Sequence, residues 1–210
     1  LRYWKEKKLI SLLSFGVVLG MGFQAWLGAT VVYSVLAPVK ITTHMLMALA
    51  IVAALILIIQ KANPRIERTK YMANFHKAIS YLLFIFLLQI VFGTQVREFV
   101  DHQLDLGLTK DNWLLNPSII FYVHRSFSIL PLGIAVYLFW INKRNELGFA
   151  STKPLLAGMI IAAFSGMAMY YIDFPLGTQP IHLVIAAILF GQIFYIFLQS
   201  RKAKNNISKT

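Results

Sequence analysis

The chain has no cysteine, only eight acidic residues among 210, and 13% charged side chains in all. Without a thiol, disulfides, thiolate metal sites, iron–sulfur clusters and thioether-linked haem are all excluded. A soluble domain carries about 25% charged and about 45–50% apolar residues. Here the apolar share is 58% and the mean hydropathy +0.67, so a water-soluble globule is excluded too. The net charge of +12 does not point to nucleic acid, because the basic residues stand in short clusters between long uncharged runs, as loops at a cytoplasmic membrane face do.

Those runs are the main feature of the sequence. Crossing a hydrocarbon core of about 30 Å takes roughly 20 helical residues. The uncharged stretches predict six spans, at about 9–35, 41–60, 77–97, 118–141, 154–172 and 181–200. With the N-terminus inside, the inner segments hold Arg2, Lys5, Lys7, Lys8, Lys61, Arg65, Arg68, Lys70, Lys77, Lys143, Arg144, Lys153, Arg201, Lys202, Lys204 and Lys209, which is 16. The outer segments hold Lys40, Arg97, Lys110 and Arg125, which is 4. This split predicts an integral membrane protein with both termini in the cytoplasm; as no transit-like segment is seen, a bacterial inner membrane is expected. An outer loop at 98–117 is expected to carry Glu98, Asp101, Asp105 and Asp111, with Trp113 at the interface and Asp173 as a solvated cap.

A shift of 138 residues lays the first two spans over the last two, pairing Ala25 with Ala163, Gly28 with Gly166, Tyr33 with Tyr171, His44 with His182 and Ala48 with Ala186. Internal repeats are common in membrane proteins, and sites often lie where repeats meet. The fold class that follows is an all-α membrane protein: a complete four-helix bundle at 70–202, half of a second bundle at 1–62, and a cytoplasmic tail at 203–210. Two further helices are expected to precede Leu1.

Five histidines are present. His76, beside Lys70 and Lys77, and His102, in the outer loop, read as solvated surface residues. His44, His124 and His182 each fall inside an apolar run on the outer side, where an ionisable residue is a site hypothesis by default. The plain alternative is a neutral imidazole bonded to a neighbouring helix. His124 and His182 fall in one layer on two helices that can face each other across a four-helix bundle, where bis-histidine cofactor sites are built. Neutral imidazole is a good ligand for haem iron. Zinc wants three or four ligands, and no acid lies in the spans to complete such a set. Small residues one turn on, Ala48 and Ala186, leave room for a macrocycle edge, while Phe121 and Phe127 flank His124. Arg97 and Arg125 stand at the same level, suited either to propionate carboxylates or to snorkelling toward lipid phosphate.

Taken in order, Gln24-Ala-Trp-Leu-Gly28-Ala-Thr-Val-Val32, Thr43-His44-Met-Leu-Met-Ala48-Leu-Ala50, Phe92-Gly93-Thr94-Gln95-Val96-Arg97-Glu98, Val123-His124-Arg125 and Gln179-Pro180-Ile181-His182-Leu183 resemble the haem A synthase family, from its third helix to its eighth. The resemblance implies an oxidoreductase that converts the C8 methyl of haem O to a formyl group, giving haem A for cytochrome c oxidase. It implies haem b as cofactor in the C-terminal half, between His124 and His182, and the substrate haem O at His44 in the N-terminal half. The family's catalytic acid and second N-terminal histidine belong to a Glu-x-x-His-Arg-like motif with no counterpart here, so they are expected upstream of Leu1. Implied partners are the lipid bilayer, haem O synthase and oxidase assembly factors. A b-type electron-transfer cytochrome and a non-catalytic haem-binding assembly protein are the alternatives.

Overall fold

The computed structural model describes residues 7–33, 38–62 and 69–207, and every regular element among them is helical. The order is α1 (Lys8–Tyr33), α2 (Pro38–Ala62), α3 (Ala73–Asp105), a single 3-10 turn (Lys110–Asn112), α4 (Ile119–Phe127), α5 (Ile129–Arg144), α6 (Thr152–Tyr171) and α7 (Thr178–Ile207). With α4 and α5 counted as one crossing, six helical rods are long and apolar enough to span a bilayer. Helices suit that solvent because each satisfies its own backbone polar groups. The outward residues Phe15, Val18, Ile59, Phe84, Ile129 and Phe164 are correspondingly exposed and apolar. Of the basic residues used to orient the chain, Arg2, Lys5, Arg65, Arg68 and Lys209 lie outside the described residues, as does most of the first outer connection at 34–37.

The chain divides into two compact units, residues 1–66 and 67–210. In the first, α1 and α2 form an antiparallel hairpin. Gly20 admits Met47 and Ile51, and Gly28 admits His44. Small residues at such a seam let two helices approach closely where lipid offers no hydrophobic drive. Leu27, Met45, Leu49 and Ile51 are buried along it.

In the second unit α3 packs on α4, α5 and α7, α5 packs on α6, and α6 packs on α7. The four spans thus close into a ring in which the α4–α5 rod and α7 stand on the diagonal. Phe75, Ile79, Leu82, Phe86 and Ile90 recur on α3 at the three- and four-residue spacing of one helix face. Leu138 and Ile141 of α5, Leu155 of α6, and Leu189, Ile193 and Ile196 of α7 are likewise buried. At the end rich in Lys and Arg the bundle is plugged. Phe75 stacks on Phe149 at 4.3 Å, and Asn142 Nδ2 donates to the Phe149 carbonyl (3.0 Å) and to Thr152 Oγ1 (2.8 Å). The Phe149 N–H donates back to Asn142 Oδ1.

Three boundaries differ from the hydropathy reading, each for a physical reason. The third span runs on to Asp105, so Glu98, Asp101, His102 and Asp105 belong to helix rather than loop. Charge marks where the apolar run stops and not where the helix does, and the Arg97–Asp101 ion pair across one turn supports the extension. The fourth span is broken between Phe127 and Ile129. Pro131 offers no N–H to the Phe127 carbonyl, and its ring crowds that carbonyl. The last helix starts at Thr178, so His182 sits one turn in, and it continues through Ser200 to Ile207.

The connection after α3 packs onto the helix ends. Trp113 is buried against Phe174 and Val100, meets Phe174 edge-on at 5.2 Å, and donates its indole N–H to the Leu108 carbonyl. Asp173 and Phe174 both take left-handed backbone, at φ 48° and 53°. This sharp turn after α6 brings Phe174 under Trp113.

Candidate functional site

Each of the three membrane histidines rests on a glycine of the preceding helix. A Cβ built on Gly28 would stand 3.2 Å from His44 Cε1, one on Gly93 would stand 3.1 Å from His124 Cε1, and one on Gly166 would stand 3.7 Å from His182 Cε1. The seat is therefore the same one three times: α1 for α2, α3 for α4, and α6 for α7. In the first and second seats a glutamine stands one turn before the glycine, Gln24 before Gly28 and Gln89 before Gly93. Gln24 Nε2 lies 3.3 Å from His44 Nε2. Gln89 Nε2 donates to the His124 carbonyl at 2.9 Å, holding the short helix ahead of the Pro131 break. The spacing of Gly28 and Gly166 showed in the repeat, but a bare glycine did not reveal that it carries an imidazole. The two glutamines, inside otherwise apolar runs, were the available signal.

His124 and His182 come from the diagonal rods of the second unit, near the starts of the α4–α5 rod and of α7 and so at the same end. That is the arrangement expected of them. Ser165 O–H donates to the Ala162 carbonyl (2.8 Å), so its oxygen is left to accept from His182 Nδ1 at 2.7 Å. This bond places the ring proton on Nδ1 and leaves the Nε2 lone pair available. His124 Nδ1 and His44 Nδ1 are buried without a partner. Buried polar atoms are almost always satisfied, so an orphan on a half-buried ring points to a group that binds there. Among the described residues no three of His, Cys, Asp and Glu gather as metal ligands. Two imidazoles at one end of diagonal helices would suit an ion whose remaining ligands arrive with it, as in a haem, and that donor set fits the group.

The predicted surroundings are partly rearranged. Phe121 stacks on Tyr170 (5.1 Å) and Phe127 meets Phe92 edge-on (5.5 Å), so each pairs with another ring and not with His124. The Arg125 guanidinium stands 5.5–5.8 Å from the ring centres of Phe121, Tyr122 and Tyr170, a cation–π seat at the membrane end. Arg97 already has a carboxylate: its Nε donates to both oxygens of buried Asp101 at 2.8 Å. Leu189 packs against Gly158, and Met47 and Ile51 against Gly20, so these apolar residues on the helices of His182 and His44 serve helix packing.

His102 is exposed on α3 and lines a pocket of about 360 Å³ with Glu98 and Ser118. His76 differs from expectation. Its Nδ1 lies 3.0 Å from Ser200 Oγ, its ring stacks on Phe197, and Ser200 is 1% exposed. It ties α3 to α7 at the Lys/Arg-rich end. Its lysine neighbours suggested solvent, whereas its partner comes from the far end of the sequence.

A family model described as cytochrome oxidase assembly protein, COX15-CtaA, matches residues 1–194. The chain belongs to that family. No curated protein and no solved structure matches it. The match covers the first unit and most of the second in this COX15-CtaA protein, and with them all three glycine–histidine seats. The role in cytochrome oxidase assembly and the membrane spans agree with the sequence reading.

Proposed function

We propose that this protein is a haem-modifying oxidoreductase of oxidase assembly, taking the C8 methyl of haem O to a formyl group. The observation that carries this reading is the repeated glycine–histidine seat, which leaves ring nitrogens unsatisfied in both units. His124 and His182 would hold a resident haem b in the second unit, which supplies electron transfer when bound. His44 would face the substrate haem in the first. In the second unit the chain's own residues do three things. The glycines bring the imidazoles close to the neighbouring helix, Ser165 fixes the tautomer of His182, and Pro131 with Gln89 sets the short α4 apart from α5. Arg125, steadied by three aromatic rings, offers its guanidinium to a propionate, and the Nη groups of Arg97 are the second candidate. The histidine end would face away from the cytoplasm, with both termini inside.

The test is spectroscopic. The purified protein should show a low-spin b-type spectrum and a pyridine haemochrome of haem b. His124→Ala or His182→Ala should abolish it, and His44→Ala should leave it intact while impairing haem O conversion. A full Soret band in both of the first two variants would overturn the assignment.

A further inference from the structure

His44 and His182 are repeat-related and seated alike, yet their ring nitrogens are used differently. His182 bonds Ser165 through Nδ1, which frees Nε2, the nitrogen farther from the backbone. His44 is engaged at Nε2 by Gln24, and its Nδ1 is buried and unpartnered. The repeat shows why. The position of Ser165 is Leu27 in the first copy, and the position of Gln24 is Ala162 in the second, so the hydrogen-bonding side chain has moved by nearly one turn and meets the other nitrogen. Turning the Gln24 amide over exchanges donor for acceptor but still leaves Nε2 engaged.

We infer that Gln24 is a positioning residue that keeps His44 an exchangeable ligand for haem iron, where His182 is a permanent one. This rests on the reading of His44 as a haem-facing residue. Any iron bond from His44 Nε2 must first displace the Gln24 amide, and a hydrogen bond of this kind weakens a competing ligand by about fivefold. A site that receives one tetrapyrrole and releases another needs such a ligand, whereas a resident electron carrier does not.

The test uses the full chain in detergent, titrated with ferric protoporphyrin IX. Each variant is compared with its own His44→Ala counterpart, so that only the His44-dependent signal is read. Release is followed by transfer to excess apomyoglobin. Gln24→Leu should slow His44-dependent release about fivefold, and Gln24→Met, which keeps the chain length, should do the same. Gln24→Glu, which bonds the imidazole more strongly, should hasten release. If neither apolar variant changes the rate although His44→Ala still removes the signal, the role of Gln24 is overturned and the His44 reading stands. If His44→Ala leaves the titration unaltered, the His44 reading falls and this inference with it.

Discussion

The glycine seats give a comparison in which one kind of substitution has opposite outcomes at two places. An alanine at Gly93 puts its Cβ 3.1 Å from His124 Cε1, tighter than ordinary contact, so the ring must give by a few tenths of an ångström. An alanine at Gly166 puts its Cβ 3.7 Å from His182 Cε1, an ordinary van der Waals distance. Both changes remove a mid-helix glycine, which is worth about 0.5–1 kcal/mol of helix stability. Gly166→Ala should keep that gain. Gly93→Ala adds overpacking of about 1–3 kcal/mol, because α4 is tethered through the His124 carbonyl to Gln89 and cannot easily yield. The net expectation is stabilisation by about 0.5–1 kcal/mol at Gly166 and destabilisation by about 1 kcal/mol at Gly93. At about 2–4 °C per kcal/mol for a chain of this size, the two melting temperatures should move apart by several degrees. Thermal melts of the detergent-solubilised protein followed by circular dichroism test stability. The optical spectrum of bound haem tests ring position, and only Gly93→Ala should alter it. If the two variants melt together and share an unchanged spectrum, the seats do not position the imidazoles and the reasoning fails.

Two further outcomes are expected. Asn142→Ala removes three hydrogen bonds at the Phe149 turn but strands only the Phe149 N–H, since the Phe149 carbonyl still accepts from Thr152; at about 1–3 kcal/mol for a buried group left unsatisfied, it should destabilise the second unit by about 2 kcal/mol. Haem binding at the opposite end should persist below the lowered melting point, and a melt unchanged from the parent would show that the plug contributes nothing. Because the chain has no cysteine, a single Asp105→Cys thiol at the exposed end of α3 should react with an impermeant maleimide from outside intact cells. Reaction only after permeabilisation would invert the proposed topology.

The two units pose one physical problem with two solutions. A half-buried imidazole in a membrane needs somewhere to send two ring nitrogens, and the repeat-related His44 and His182 each have one of them satisfied from the preceding helix. In the second unit the serine takes the nitrogen nearer the backbone and the outer one stays open. In the first, the glutamine reaches the outer nitrogen and the inner one is stranded. The difference arises from where one polar side chain falls on a helix face, and it needs no change in backbone architecture.

The spans were legible in the sequence because a bilayer enforces length and apolarity so strictly that hydropathy alone locates them. The layer holding His124 and His182 was legible for the same reason, since rise along a helix converts residue number into depth. Side-chain partnerships were not. Hydropathy ends a helix where charge begins, and so it misread residues 98–105, where the helix continues and Arg97 pairs with Asp101 along it. Adjacency made His76 look solvated, although its partner Ser200 lies 3.0 Å away on the neighbouring α7. Trp113 was legible as a residue of the outer connection, but its packing partner was not, because Phe174 reaches it through the left-handed turn at Asp173 and Phe174. A glycine carries the least readable signal of all, because its contribution is the volume it leaves for a neighbour. Gly28, Gly93 and Gly166 acquire meaning only when the ring that fills each space has been placed. A search for such sites from sequence should therefore begin with the polar residue one turn before the glycine, since a buried glutamine in an apolar run must bond to something.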